Sequence, residues 1–200
     1  MAHPADDLLG AFAGGWLHPA PSLIVATHLA HCPACRAFVA GLEIAGGALL
    51  AAEPSESLAP WSSELALARA RGLAPLQSTH PAERLEEPTH RIGRRRWFGP
   101  GRWVAPVRLP DQERWRIHLI RAPAGASFPA HDHSGPEYTC VLEGSFHDGK
   151  TWSAGDFVET RQGCHAPRVT EAGPCLSLIA CEGGAKWSGT MKFLGPLFAI

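Results

Sequence analysis

The sequence has no excess of charge of one sign. Its 18 basic and 19 acidic side chains leave a formal net charge of −1, and the pI calculated from the sequence is about 6.8. This balance gives no electrostatic reason to expect direct binding to nucleic acid or to a membrane surface. The one basic run, Arg94–Arg96, is interpreted as a short solvated patch.

Segments typical of membrane insertion and of export are also missing. No stretch reaches the roughly 20 uninterrupted apolar residues that span a bilayer. The N-terminus lacks the basic region of a signal peptide and carries Asp6 and Asp7 instead. We therefore expect a cytoplasmic protein with reduced thiols. Its six cysteines are interpreted as metal ligands, redox sensors or buried small residues rather than structural disulfides.

Hydrophobic periodicity predicts that residues 1–75 form a small helical bundle. Apolar residues recur there at helical spacing. Two prolines are expected to end the first helix, and Ser22 is the predicted N-cap of the second. The third helix is predicted from Pro33 to about Ala52, and a fourth runs from about Ser62 to Arg71.

The remainder of the chain has a different pattern. Residues 76–93 are polar and weakly periodic, which predicts a linker. Residues 94–200 contain short β-type runs separated by Gly, Pro and Asp, which is typical of an antiparallel sandwich or barrel. The predicted strands are Trp115–Arg121, Tyr138–Leu142, Thr151–Trp152, Phe157–Glu159 and Leu176–Cys181. The predicted fold class is therefore α+β, with a helical and an antiparallel β domain.

A histidine and cysteine cluster in the helical region has the spacing of a metal site. His28 and Cys32 are four residues apart and share one face of a helix. The turn after Cys32 brings Cys35 to the same point. Structural zinc takes four nitrogen or sulfur ligands in a tetrahedron, and His3 and His31 are the candidates for the fourth. A redox CxxC motif usually follows a strand in a βαβ setting, which is absent from this pattern.

The order His3, His28, Cys32 and Cys35, with HxxxCxxC at its centre, resembles the zinc-binding anti-sigma family of bacteria. The resemblance covers residues 1–75. It implies a small helical domain that binds a group IV (extracytoplasmic-function) sigma factor and blocks its access to RNA polymerase. It also implies that zinc is held by these four residues, with His31 as a neighbour.

A second candidate metal cluster lies in the C-terminal region. His131 and His133 are two residues apart on a strand, so both imidazoles point to one side. Glu137 can add an oxygen ligand from the next strand, and His165 is the natural choice for a fourth ligand. Such a ligand set suits zinc, manganese, iron or nickel, and the residues alone do not choose among them.

The stretch 125–144 reads G-x5-H-x-H-x3-E-x6-G and resembles the first motif of the cupin family, whose small β-barrels hold a metal with these residue types. The second cupin motif is imperfect, because Arg161 replaces a proline and the step from Gly155 to His165 is one residue short. His147 and a Cys164 thiolate are therefore alternative fourth ligands. Cys164 is also a candidate sensor thiol, whereas three cysteines are expected to be buried on strands: Cys140, Cys175 and Cys181.

Together, the two regions resemble the ChrR-type anti-sigma factors. This resemblance implies that the cupin-like domain senses oxidative stress, such as singlet oxygen or organic hydroperoxide, and triggers release of the sigma factor. It further implies zinc in the helical domain, a divalent metal in the cupin-like domain, and scope for self-association through the latter. One alternative is a stand-alone metal or small-molecule sensor whose partner is not a sigma factor. The other is a metal-dependent cupin enzyme of the dioxygenase type. No general acid or base is evident for it beyond the ligands, and the N-terminal cluster would have no role in it.

Overall fold

The computed structural model describes residues 1–55, 57, 59, 62–72, 91–110, 112, 114–161 and 163–187. The helices in this part of the chain are α1 Asp6–Ala13, α2 Pro19–His31, α3 Pro33–Ala52 and α4 Ser62–Gly72. The strands are β1 Arg91–Ile92, β2 Arg96–Gly99, β3 Arg102–Arg108, β4 Trp115–Ala122, β5 His131–His133, β6 Glu137–Glu143, β7 Ser145–Asp148, β8 Lys150–Ser153, β9 Phe157–Thr160, β10 Arg168–Val169, β11 Cys175–Glu182 and β12 Ala185–Trp187. The predicted α+β class is confirmed.

Helix α2 begins earlier than the sequence predicted. It starts at Pro19. Proline is tolerated in the first turn of a helix, because the N–H group that it lacks would have no partner within the helix. The N-cap is His18, whose Nδ1 accepts a hydrogen bond from the Ala20 N–H at 3.2 Å. The predicted cap at Ser22 is therefore wrong. Helix α3 has the predicted bounds, and Cys32 separates it from α2 in an extended conformation.

Helix α2 is buried around most of its circumference. Nine of its 13 residues are buried, including Ile24 and Val25, which have no exposed surface. It contacts α1 and α3 and also strands β4, β6 and β11. A helix that is apolar on all sides is typical of a core position. The helical region and the sheet therefore share one hydrophobic core.

Helix α3 is mostly exposed, although it is strongly apolar. Its mean hydropathy is 1.5 over an 18-residue window, so it is long and apolar enough to cross a membrane by length and composition. The sequence criterion of an uninterrupted run did not detect it, because Arg36 and Glu43 lie within it. Only 11% of that window is buried, chiefly through Cys35 and Val39. Most of the α3 surface is thus available to a partner.

The main sheet has seven strands in the order β1-β3-β4-β11-β6-β9, with β2 also paired to β3. The five predicted strands correspond to β4, β6, β8, β9 and β11, each within one residue at either end. Strand β3 was not predicted, since Pro106 interrupts its pattern. The Pro106 carbonyl still accepts a hydrogen bond from the Gly93 N–H at 2.7 Å. Strand β1 lies inside the predicted linker 76–93, most of which falls outside the described residues.

Two small sheets complete the described β structure, in the orders β10-β7-β8 and β12-β5. Strand β5 belongs to the sheet that it forms with β12. Strand β6 belongs to the main sheet, where it pairs with β11 and β9. The two predicted ligand-bearing strands, β5 and β6, therefore belong to different sheets. The site that they share is formed where those sheets meet.

Candidate metal centres

Four side chains converge in the helical region. His3 precedes α1, His28 lies in the last turn of α2, and Cys32 and Cys35 flank the start of α3. Their ligand atoms all lie within 4.8 Å of one another. The His3 Nδ1 atom is 3.3 Å from the Sγ atoms of both cysteines. The His28 Nε2 atom is 3.4 Å from the Cys35 Sγ atom.

These distances fit a tetrahedral zinc ion. Zinc bonds of about 2.3 Å to sulfur and about 2.0 Å to nitrogen separate neighbouring ligand atoms by about 3.3–3.8 Å. The observed separations fall at the lower end of that range. The residues of the N-terminal cluster could therefore hold zinc with little rearrangement.

The electrostatics of this cluster also favour a cation. Burial and the contact with Cys32 raise the pKa of Cys35 to about 12, because a second buried sulfur disfavours the thiolate. Burial lowers the pKa of His28, which keeps its imidazole neutral. Zinc ligation requires thiolates and neutral imidazoles. A bound cation would stabilise the Cys35 thiolate, which burial otherwise disfavours.

The structure distinguishes the two candidates for the fourth N-terminal ligand. His3 lies in the cluster, as described above. His31 is exposed, and its Nδ1–H donates to the Thr27 carbonyl at 2.9 Å. The geometry therefore brings together the four residues implied by the family resemblance and leaves His31 outside.

The second cluster contains His131, His133, Glu137 and His165, whose ligand atoms also lie within 4.8 Å of one another. The His133 Nε2 atom is 2.8 Å from His165 Nε2 and 3.5 Å from Glu137 Oε2. His131 and His165 form an isolated antiparallel bridge with two backbone hydrogen bonds of 3.0 Å. This pairing brings His165 into the cluster although the second motif is one residue short.

The Nδ1 atom of each imidazole in this cluster has its own neighbour. The neighbours are Pro129 O at 2.9 Å for His131, Cys181 Sγ at 3.2 Å for His133 and Asp148 Oδ2 at 2.7 Å for His165. Such outer contacts fix the ring orientation and the tautomer of metal-binding histidines. They leave each Nε2 atom to face the centre. Sequence reasoning missed Asp148 and Cys181; the only signal for Asp148 was its place in a turn.

The two alternative ligands lie outside the cluster. His147 is exposed on β7, and its Nδ1 atom is 3.5 Å from the Thr151 hydroxyl. Cys164 is also exposed, whereas Cys140, Cys175 and Cys181 are buried as expected. Neither alternative is among the described residues that could share a metal with His131.

Burial controls the protonation of the second cluster. It raises the pKa of Glu137 to about 7. Burial and the two neighbouring imidazoles lower the pKa of His133 to about 4. The imidazole is therefore neutral and ready to ligate, whereas the carboxylate gains from a nearby positive charge. A divalent cation satisfies both groups.

A cavity of about 90 Å³ adjoins the second cluster. Its wall includes His131, Glu137 and His165, and most of the remainder is apolar, with side chains such as Phe128, Val158 and Ile179. A mostly apolar cavity with a few convergent polar groups is typical of a small-molecule site. The space allows a small molecule to approach a metal held by the cluster.

Comparison with known proteins agrees with both halves of this description. The family model for the ChrR cupin-like domain matches residues 90–183. The anti-sigma-E factor ChrR of Cereibacter sphaeroides is 33% identical over 210 residues, covering 99% of this chain and 98% of that protein. The crystal structure of Rhodobacter sphaeroides SigE in complex with the anti-sigma ChrR matches 91% of this chain and 99% of that one, with 32% identity and a TM-score of 0.73. The chain belongs to the ChrR family of anti-sigma factors.

Proposed function

We propose that this protein binds and inhibits a group IV sigma factor through residues 1–75, and that its cupin-like domain, residues 94–200, triggers release under oxidative stress. The identity of 33% over nearly the whole chain to an anti-sigma factor carries the proposal. Membership of that family makes the protein a regulator rather than an enzyme, so the dioxygenase alternative is set aside. The proposal includes a cytoplasmic location, where the six free cysteines remain thiols.

Helix α3 supplies the surface that we assign to sigma binding. Its apolar side chains are unusually exposed for a folded protein: Phe38 41%, Leu42 36%, Ile44 74%, Leu49 72% and Leu50 76%. Contiguous exposed apolar surface marks interaction sites. An amphipathic helix of the sigma factor, or a groove between its domains, could cover these side chains. A relative, the anti-sigma ChrR, forms a complex with SigE, which supports a sigma factor as the partner proposed for this surface.

The binding surface is tested by co-expressing the full chain with candidate sigma factors and measuring co-purification. Replacing Leu42 and Leu49 with glutamate should reduce affinity at least about 100-fold, because charge would enter an apolar interface. The control for each of these replacements is Ile92→Glu, which adds one carboxylate at a residue of the β1 edge that is 59% exposed. Equal loss in the control, or full binding by the α3 variant, would contradict this surface.

We propose that His3, His28, Cys32 and Cys35 hold zinc. They fit the metal by donor type, by spacing and by charge, as described above. Zinc would tie the segment before α1 to the junction of α2 and α3, and structural zinc contributes directly to folding. Its role here is to hold the arrangement of helices that presents α3.

We propose that the sensing site is a divalent metal held by His131, His133, Glu137 and His165. Three imidazoles and a carboxylate suit zinc, manganese, iron or nickel. The adjoining cavity supports access by a small oxidant such as singlet oxygen or an organic hydroperoxide. Replacing His131, His133 and Glu137 with alanine should leave sigma binding intact and abolish its release by oxidant. Normal release from this variant would exclude the cupin metal as the sensor.

A further inference from the structure

The N-terminal cluster has outer contacts to the cupin-like region. Residues 154–157, here called the 154–157 turn, consist of the connection from β8 to β9 and the first residue of β9, and they lie against the N-terminal segment. Gly155 has a φ of +89°, and an added Cβ would stand 2.7 Å from the Met1 side chain and 3.6 Å from that of His31. This close approach in a left-handed conformation requires glycine.

The turn fixes the orientation of His28. That side chain has no exposed surface, and its Nδ1 atom is 2.8 Å from the Gly155 carbonyl. Because a carbonyl only accepts hydrogen bonds, Nδ1 carries the proton and the lone pair is on Nε2, which faces Cys35. The Phe157 ring packs edge-on against the imidazole at 5.9 Å. The Gly155 carbonyl and the Phe157 ring thus fix the His28 imidazole, while its Nε2 atom faces Cys35.

The same turn holds Ala2, the residue before His3. The Ala2 N–H donates to Asp156 Oδ1 at 2.6 Å, and the Phe157 N–H donates to the Ala2 carbonyl at 3.0 Å. The second carboxylate oxygen of Asp156 accepts from the Ser153 N–H at 2.7 Å. Asp156 is only 9% exposed, so its carboxylate is fixed on both sides. The backbone entering His3 is therefore positioned from the other domain.

The turn is also bonded to the strand that carries a residue of the second cluster. The Gly155 N–H donates to the Val141 carbonyl at 2.8 Å, and the Val141 N–H donates to the Asp156 carbonyl at 3.1 Å. Val141 lies on β6, four residues after Glu137, which is about 13 Å along a strand. One short strand thus connects the two candidate metal centres.

We propose that the 154–157 turn completes the N-terminal zinc site, with the Gly155 carbonyl orienting His28 and Asp156 positioning His3 through Ala2. This inference rests on the proposed zinc ligation. Asp156 is a positioning residue, since it contacts the chain beside a ligand and not the metal. Outer contacts made directly to a ligand contribute about 10- to 100-fold in metal affinity. Because Asp156 acts one residue away from His3, removing its carboxylate should cost about threefold to tenfold.

The test uses the full chain and cobalt as a spectroscopic substitute for zinc. A sulfur-to-cobalt charge-transfer band reports the N-terminal cluster, because the His131 cluster contains no thiolate ligand. Competition with zinc gives the affinity. Asp156→Ala should lower the affinity for zinc and shift the ligand-field bands of bound cobalt. Asp156→Asn keeps one acceptor oxygen and should therefore retain more of the affinity than Asp156→Ala. Glu159→Gln is the matched control on β9, where the carboxylate pairs with the exposed Arg161, and should change neither.

A second variant approaches the contact from the helical side. Ala2→Pro removes the N–H that donates to Asp156 and alters no residue of the cupin-like region. It should weaken zinc binding by a similar factor. Combining it with Asp156→Ala should weaken zinc binding little further, because both variants remove the hydrogen bond between Ala2 and Asp156. Unchanged affinity and spectra in both single variants would overturn the inference. Failure of the unaltered chain to bind cobalt or zinc through thiolates would instead contradict the proposed zinc ligation.

Discussion

Replacement of Ile24 by alanine should destabilise the helical region and the sheet together. Ile24 has no exposed surface and lies in the core that α2 shares with the strands. Removing such a side chain costs about 2–5 kcal/mol, from lost burial and from the cavity that remains. For a chain of this length, each kcal/mol lowers the melting temperature by about 2–4 °C. The expected decrease is therefore about 4–20 °C.

Denaturation by urea, followed with two probes, tests whether the loss is shared. Five of the seven tryptophans lie in residues 94–200, so their fluorescence mainly reports the sheet region. The cobalt–thiolate band reports the helical region. Both transitions should move to lower urea concentration, and the free energy of unfolding obtained from each should fall by the same amount. The control is Leu50→Ala on the exposed side of α3, where the side chain is 76% exposed and the expected change is within about 0.5 kcal/mol.

The reasoning would be refuted if Ile24→Ala lowered the cobalt transition and left the fluorescence transition unchanged. That result would mean that the two regions unfold independently and that α2 contributes nothing to the stability of the sheet. It would also weaken any account in which a change in the cupin-like region reaches the sigma-binding surface through packing.

Three further outcomes are expected. Asp148→Asn should lower metal affinity at the His165 cluster by about 10- to 100-fold, measured by competition with a chelator, and an unchanged affinity would show that Asp148 does not orient the ligand. Cys35→Ser should abolish the cobalt–thiolate band and reduce sigma co-purification, whereas strong sigma binding without that band would separate binding from zinc. Iodoacetamide followed by mass spectrometry should label the exposed Cys164 first. Cys140 should react only on unfolding, because it is fully buried and burial raises its pKa to about 12; early labelling of Cys140 would contradict its burial.

Patterns along the sequence were sufficient to predict several helices and strands. The bounds of α3 followed from a proline at its first position and helical periodicity. Strands β4, β6 and β11 followed from runs of β-forming residues between turn signals. The spacing of His28, Cys32 and Cys35 likewise predicted their convergence, because residues four apart share one face of a helix.

Contacts between distant residues needed the tertiary structure. Ser22 was a reasonable cap by residue type, but the helix starts at Pro19 and is capped by His18, whose ring packs against Trp115 of β4. His165 could not be chosen over Cys164 by motif spacing. Its place follows from backbone pairing with His131, which no local pattern contains.

The sequence by itself determined the residue types that can bind metal in each half and the resemblance that relates the chain to anti-sigma factors. The tertiary structure decided that the two halves are joined. It packs α2 into a core shared with the sheet and places the Gly155 carbonyl against His28, 127 positions away in the chain. The physical reason is that burial and hydrogen bonding act through space, whereas periodicity and motif spacing act only along the chain.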